Sequence, residues 1–470
     1  MTKFTTEYIS EPRLRFGEGE AQDPRAGLMK HGPWSPGGAA NHNEIKLGFI
    51  GTSQSIAASK QLFREMEAVI PRDGDEIARH KPPFPSMGEQ SPFRASLNLQ
   101  PKWEDKLTRE DIEIIKDEPT PSGSVRELLE IMKFRIEWLS EQDPPPKVVV
   151  ISLPEEIVEA CSPAGVEKPK MKDGTTDFHD RIKTFGLQYD LPTQLIRPQT
   201  LDFSRQGQEK AQVAWNLAVA LLYKSREGRP WKLAHLENDT CYAGISFYRD
   251  RENREKAHAS LAQVFLGTGE SFVLRGDPAV KDEESRNYHL TKDSAEEIVG
   301  QVLNQYERYR GTKPRRLVLH KTSRFDEEER QGFISGSENV DTRDFVTIRD
   351  NDPVRFYATG QYPPLRGTVI TPRGTSKHFL YTKGYVPTLE TYPGPRVPTP
   401  ITVEPDPEVC ETSYLDLCKE ILSFTKMDWN TSDFARRKPV TIKVARAVGA
   451  ILAESEQRGI RVKPQYYYYM

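Results

Sequence analysis

Residues 240–250 read TCYAGISFYRD. Aromatic and β-branched residues dominate the run, which predicts a strand. Two more strand-like runs follow after short turns, KAHASLAQVFLG (256–267) and ESFVLRGD (270–277). Next comes SAEEIVGQVLNQYERYRG (294–311), a helix, and then PRRLVLHKT (314–322), a buried strand. The resulting order is three antiparallel strands, a helix and a parallel strand, the order of a ribonuclease-H-like α/β fold.

Upstream the pattern differs. EIKLGFIG (44–51) reads as a buried strand, with Thr52-Ser53 starting a helix that runs through Ile56, Leu62, Phe63, Met66 and Ile70. SVRELLEIMKFRIEWLSEQ (124–142) is an amphipathic helix, PKVVVISLP (146–154) a fully buried strand and TQLIRP (193–198) a short one. QEKAQVAWNLAVALLYKSREG (208–228) is a further helix. Strands alternating with helices predict a Rossmann-like parallel sheet. Three segments result: an extended, Gly/Pro-rich 1–44 that needs a partner surface to order it, a domain over 45–230, and a second domain over 231–470. In the last, DFVTIRD (344–350), VRFYATG (354–360) and a hairpin at 367–386 precede a Pro-rich connector (386–408) and two helices, 409–426 and 439–457.

Length and composition bound the function. The chain has 470 residues, which argues for two cores rather than one. WNLAVALLY (215–223) is its longest apolar candidate, about half of the ~20 residues a membrane span needs. The N-terminus shows no secretory h-region. Cys161, Cys241, Cys410 and Cys418 make no CxxC pair and no zinc pattern, which points to free thiols in a reducing cytoplasm. A net charge of −3 argues against wholesale polyanion binding, but charge can be local. From Phe434 onward Arg436, Arg437, Lys438, Lys443, Arg446, Arg458, Arg461 and Lys463 face only Glu454 and Glu456. That tail is either a solvated basic face or a phosphate-facing surface. GEGE (17–20) and GTGE (267–270) read as turns, because no Lys-Ser/Thr follows to make a phosphate loop.

A Rossmann-like domain followed by a ribonuclease-H-like one resembles the MID and PIWI domains of Argonaute proteins. LRFGEGEAQDPRAGLMKHGPW (14–34) is similar to the segment that leads into MID in prokaryotic Argonautes. CYAGISFY resembles the first PIWI strand, PRRLVLHKT the strand that normally ends in an acidic residue, and KPVTIKVARAVGAIL the last PIWI helix. There is no room for the N and PAZ domains, so the resemblance is to a short prokaryotic Argonaute.

The resemblance implies a pocket for a guide 5′-phosphate. His179 and Lys183 lie one helical turn apart in FHDRIK, Gln194 follows in PTQLI, and Lys224 ends its helix. A buried dianion needs such converging donors. The family's further basic residue is Ala220 here. The alternative for these positions is an exposed helix face and a helix C-terminal charge. The resemblance also implies that the Met470 carboxylate, at the end of KPQYYYYM, meets the guide phosphate through a magnesium ion; docking of the tyrosines into a core is the other reading.

Two-metal phosphodiester hydrolysis needs several carboxylates on neighbouring elements. At the family's acid positions this chain carries Ser246, Thr322 and Arg446. Hydroxyls are weak metal ligands, and a guanidinium places a permanent positive charge where a cation must sit. Glu270 and Asp277 do not convincingly supply the loop acid, and Asp250 and Asp326 lie past the useful geometry. The expectation is a PIWI domain that binds without cutting. Lys321, Arg324, Arg436, Arg437 and Arg446 would then contact nucleic-acid backbone, leaving sequence readout to base pairing. The resemblance further implies a guide RNA and complementary single-stranded DNA from an invading virus or plasmid. It also implies a heterodimer, or a higher oligomer on activation, with an APAZ-containing effector. That effector would be sirtuin-like or TIR-like and deplete NAD in an abortive infection response, or would be a nuclease. A nuclease with displaced acids, and a guide-free scaffold for the effector, remain the other readings.

Overall fold

All five residues of Val148–Ser152 are buried, as expected of a parallel strand covered on both faces. The computed structural model describes residues 3–35, 38–39, 42–73, 80–162, 178–203, 209–226, 229–236, 239–249, 257–265, 271–276, 279–281, 288–392, 394, 396–443, 445–461 and 463–470. In it Val148–Ser152 pairs in parallel with Thr193–Ile196 on one side and Asn43–Gly51 on the other. Two strands that hydropathy did not reveal complete this sheet. Ala95–Asn98 pairs with the start of Asn43–Gly51 and Glu104–Lys106 with its end, both parallel. The polar content of these two short strands hides them from a periodicity search. Thr52 caps the helix Ser53–Glu65 by accepting from the Ser55 amide at 3.1 Å. Helix Pro121–Ser140 buries Val125, Leu128, Leu129, Met132, Ile136 and Leu139 against one face of the sheet.

The second half forms a nine-stranded sheet. Its order is Phe4–Tyr8, Thr368–Pro372, His378–Leu380, Ile401–Pro405, Thr342–Arg349, Arg316–Lys321, Thr240–Arg249, Ala257–Phe265 and Ser271–Arg275. The last three are antiparallel to one another, while Arg316–Lys321 and Thr342–Arg349 run parallel to Thr240–Arg249. This is the order expected from the sequence around residue 240. Helix Lys292–Arg310 supplies the crossover. Gly244 is required here: a Cβ on it would collide with the Thr441 carbonyl, so the short helix Val440–Lys443 can lie directly on the strand.

Two expectations need correction. The segment before residue 44 is ordered by this chain itself. Phe4–Tyr8 joins the large sheet, and Glu11 is buried against Arg366 at 2.9 Å and Lys426 at 2.8 Å. Arg25 then bolts the two domains together. It donates to the His80 carbonyl (2.7 Å), Gln212 Oε1 (2.5 Å) and Ser432 Oγ (3.0 Å). The Pro-rich connector, in turn, contributes the strand Ile401–Pro405 instead of spanning empty space. The run ITVEP between the prolines pairs with Thr342–Arg349 on one side and His378–Leu380 on the other. Residues 351–358, which include most of VRFYATG, carry no regular structure. One hydrophobic cluster runs through both domains, from Leu47 and Trp215 to Tyr242, Val318, Trp429 and Tyr468.

Candidate nucleic-acid interface

The four residues expected to form the end pocket converge. Helix Phe178–Tyr189 carries His179, Asp180 and Lys183; the edge strand Thr193–Ile196 carries Gln194; helix Lys210–Lys224 delivers Lys224 at its last position. Lys224 is 2% exposed and donates to the Thr193 carbonyl (2.9 Å) and to Gln194 Oε1 (2.8 Å). Both acceptors are neutral. Burial, reinforced by the nearby Lys183 charge, pushes the Lys224 ammonium well below the usual lysine range. Lys183 donates to Asp180 Oδ1 at 3.1 Å and to the Tyr469 carbonyl at 3.4 Å. His179 Nδ1 lies 3.1 Å from the same Asp180 oxygen; a carboxylate can only accept, so Nδ1–H donates. Burial opposes the Asp180 charge, but the hydrogen bond from His179 and the charge of Lys183 outweigh it and hold this carboxyl far below its ordinary value. Gln194 Nε2 turns to the Leu195 carbonyl at 3.1 Å. Ala220 is buried in its helix.

The final residues pack against this cluster. Tyr468, Tyr469 and Met470 are buried, as the reading of tyrosines docked into a core expects. The rings enter the shared core, while the Tyr469 carbonyl touches Lys183. Asp190 clamps this tail from the MID side: it accepts from Tyr468 Oη, from Lys463 at 2.9 Å and from Arg226 at 3.1 Å. The last PIWI helix is tied to the same MID helix through Arg181 and Glu454, 2.6 Å apart. Asp180, Asp190 and Arg226 were missed by sequence reasoning. Asp190 and Arg226 also bond to the tail, which no spacing rule marks, while Asp180 pairs within its own helix with His179 and Lys183.

At the PIWI centre, Ile245 pairs with Lys321. Ser246 and Thr322 are the residues that follow this last pair, at the positions where the resemblance would put acids of a metal site. Ser246 is buried and flanked by a register shift at Phe247; Thr322 is exposed just past its strand. Arg446 sits in the first turn of helix Ala445–Gln457, with its side chain outside the described residues. Asp250, Glu270 and Asp277 also lie outside the described residues. Asp326 is instead the N-cap of helix Glu327–Ser335 and takes part in a capping box with Glu329. Among the described residues, no three His, Cys, Asp or Glu side chains cluster in a way that would hold a metal ion.

The backbone-contact set separates. Lys321 has no exposed side-chain surface and is ion-paired with an equally buried Glu329. It lies between Phe247 and Phe325. It is therefore a structural lysine and does not reach a phosphate. Lys321 is the last residue of its strand and faces inward, whereas Thr322, the next residue, is exposed. Arg324 remains largely exposed, with Glu404 at 3.3 Å. Arg436 engages Asp428 (3.0 Å) and Asp433 (3.1 Å), and Arg437 donates to the Asp350 carbonyl at 2.7 Å. The basic tail is largely absorbed in the same way: Lys438 meets Asp350, Lys443 meets Asp428, Arg458 meets Glu454 and Glu130, and Lys463 meets Asp190.

No family profile matches the sequence, and no curated protein matches it. Solved structures do match in fold. Clostridium butyricum Argonaute, bound to a guide DNA with a 5′ deoxycytidine and a 19-mer target DNA, superposes with a TM-score of 0.63 at 15% identity, covering 93% of this chain and 51% of that one. Drosophila Piwi gives 0.60 at 12% identity, with 99% and 56% covered. Marinitoga piezophila Argonaute in complex with a 5′ OH guide RNA gives 0.57 at 13% identity, with 94% and 57% covered. The fold is Argonaute-like, with a Rossmann-like MID domain followed by a ribonuclease-H-like PIWI domain. The chain spans about half the length of these proteins. Among the described residues no helix is long and apolar enough to cross a membrane.

Proposed function

We propose that this chain is the guide-binding subunit of a prokaryotic defence system. It holds a 5′-phosphorylated guide RNA, recognises complementary single-stranded invader DNA without cutting it, and switches on an associated APAZ-containing effector in the cytoplasm. The effector is proposed to be sirtuin-like and to deplete NAD. The observation that supports this most is the contrast inside one fold. His179, Lys183, Gln194 and Lys224 meet at one point from three elements, while the PIWI edge presents the hydroxyls of Ser246 and Thr322.

A guide end would enter where Lys183 has a proton left to donate beyond the bonds described, with Lys224 beside it. A magnesium ion belongs to the same reading. The Met470 carboxylate would hold it against the phosphate, and the ion would offset the meeting of two anions. Arg324 is the member of the proposed backbone set that is most available to a phosphate.

The test is to co-express the chain with the product of its neighbouring gene. NAD would be followed with guide alone, with matched target and with scrambled target. Loss of NAD only with matched target supports the proposal. Loss that is indifferent to target, or cleavage of the target strand by the chain alone, refutes it.

A further inference from the structure

The end pocket contains its own anion. Side-chain exposure falls along the helix from His179 (34%) through Asp180 (15%) to Lys183 (6%), so Asp180 lies toward the mouth and Lys183 inside. Among the hydrogen bonds described, the carboxylate of Asp180 is the only one on either pocket lysine, because the other acceptors are the Tyr469 and Thr193 carbonyls and Gln194 Oε1. Asp180 therefore occupies the positions that a phosphate oxygen would take on Lys183 and His179. Both of its described partners are side chains, so it can swing away without breaking backbone structure.

Two guide ends meet this carboxylate differently. A phosphate must displace Asp180 from Lys183 or face it as a like charge, which is unfavourable in a buried site. A 5′-hydroxyl can donate to Asp180 and leave the ion pair intact. We propose that Asp180 sets the guide-end selectivity of the pocket: it is a displaceable counter-anion that weakens phosphate binding and supports hydroxyl binding. This rests on the reading of the site as a guide-end pocket.

The test uses full-length protein and two fluorescent oligonucleotides of one sequence, one with a 5′-phosphate and one with a 5′-hydroxyl. Dissociation constants are measured for wild type, Asp180→Asn, Asp180→Ser and Lys183→Ala, with thermal unfolding as a folding control. Both Asp180 variants are expected to raise the phosphate-over-hydroxyl preference tenfold or more, mainly through tighter phosphate binding. An unchanged ratio in a folded Asp180 variant overturns the role of Asp180 while leaving the pocket in place. Equal binding of both ends by wild type, with no loss in Lys183→Ala, overturns the pocket reading itself and the Asp180 proposal with it.

Discussion

Lys183 and Lys321 are both buried lysines beside a carboxylate, yet they do different work. Lys321 and Glu329 have no exposed side-chain surface. Glu329 is further fixed by the Leu290 amide at 3.1 Å and the Asp326 amide at 3.3 Å. That pair is saturated and cannot open to a ligand. Lys183 instead meets Asp180 at the mouth of a pocket, with a second lysine behind it that touches only neutral oxygens. Burial alone does not separate a structural cation from a binding one. What separates them is how tightly the counter-anion is held and whether it can leave.

The largest expected effect tests the binding side. Lys183→Ala combined with Lys224→Met removes two charge-assisted contacts of roughly 1.5–3 kcal/mol each. Affinity for a 5′-phosphorylated guide should fall by about two to four orders of magnitude, read by fluorescence anisotropy. A change of less than tenfold would place the guide end elsewhere.

The structural side breaks differently. Glu329→Gln leaves Lys321 buried without its anion, at a cost of about 3–5 kcal/mol. The melting temperature should drop sharply while guide affinity in the folded fraction stays as in wild type. Lys321→Met with Glu329→Leu should recover most of the loss, since a packed apolar pair often replaces a buried ion pair without penalty. Weaker guide binding in that double variant, at restored stability, would return Lys321 to the interface.

The contrast between the two lysines also shows what the sequence made legible. Strand order, the two domains and the four pocket positions follow from hydrophobic runs, helical spacing and the family's motif order. Asp180 sits inside the quoted FHDRIK motif and was still passed over, because its role depends on a carboxylate pointing back at Lys183. Lys321 looked like a phosphate ligand because a strand-end lysine next to a lost acid is adjacent in sequence to the groove. The pleat turns it to the other face, and Glu329, eight residues on, neutralises it. The Phe4–Tyr8 strand pairs with Thr368–Pro372, 360 or more positions away, a partnership that local pattern does not encode.

His320, next to Lys321, gives a smaller and pH-dependent effect. Burial, with the Arg316 charge adding to it, lowers its pKa from 6.5 to about 3, and Nδ1 lies 2.9 Å from Thr441 Oγ1. Between these two pH values the unfolded chain binds a proton that the folded chain does not. Stability therefore rises with pH across that window, by up to about 1.4 kcal/mol per unit. Urea titrations at pH 6.5 and pH 5 should differ by roughly 1.5 kcal/mol in wild type from this group, and His320→Gln should flatten the difference. An equal slope in the variant would assign the pH dependence to other groups.

The smallest expected effect is none, and it tests the PIWI side of the proposal. Ser246→Ala and Thr322→Ala each remove a hydroxyl from the edge where metal-holding acids would stand. Thr322 is exposed, and its loss should stay within the ~0.5 kcal/mol typical of surface changes. Ser246 is 6% exposed, and a lost buried hydroxyl should cost about 1 kcal/mol if it is hydrogen-bonded. Neither residue belongs to the end pocket. Guide affinity, target affinity and target-dependent NAD loss with the effector should therefore match wild type within twofold. The converse is sharper. Ser246→Asp with Thr322→Asp puts two carboxylates side by side without the further acids that two-metal hydrolysis requires. It should not produce cleavage of a guide-matched target in magnesium or manganese. If the alanine variants abolish a target-cleaving activity of the wild type, the centre is catalytic after all, and its metal ligands lie among residues not assigned to it above.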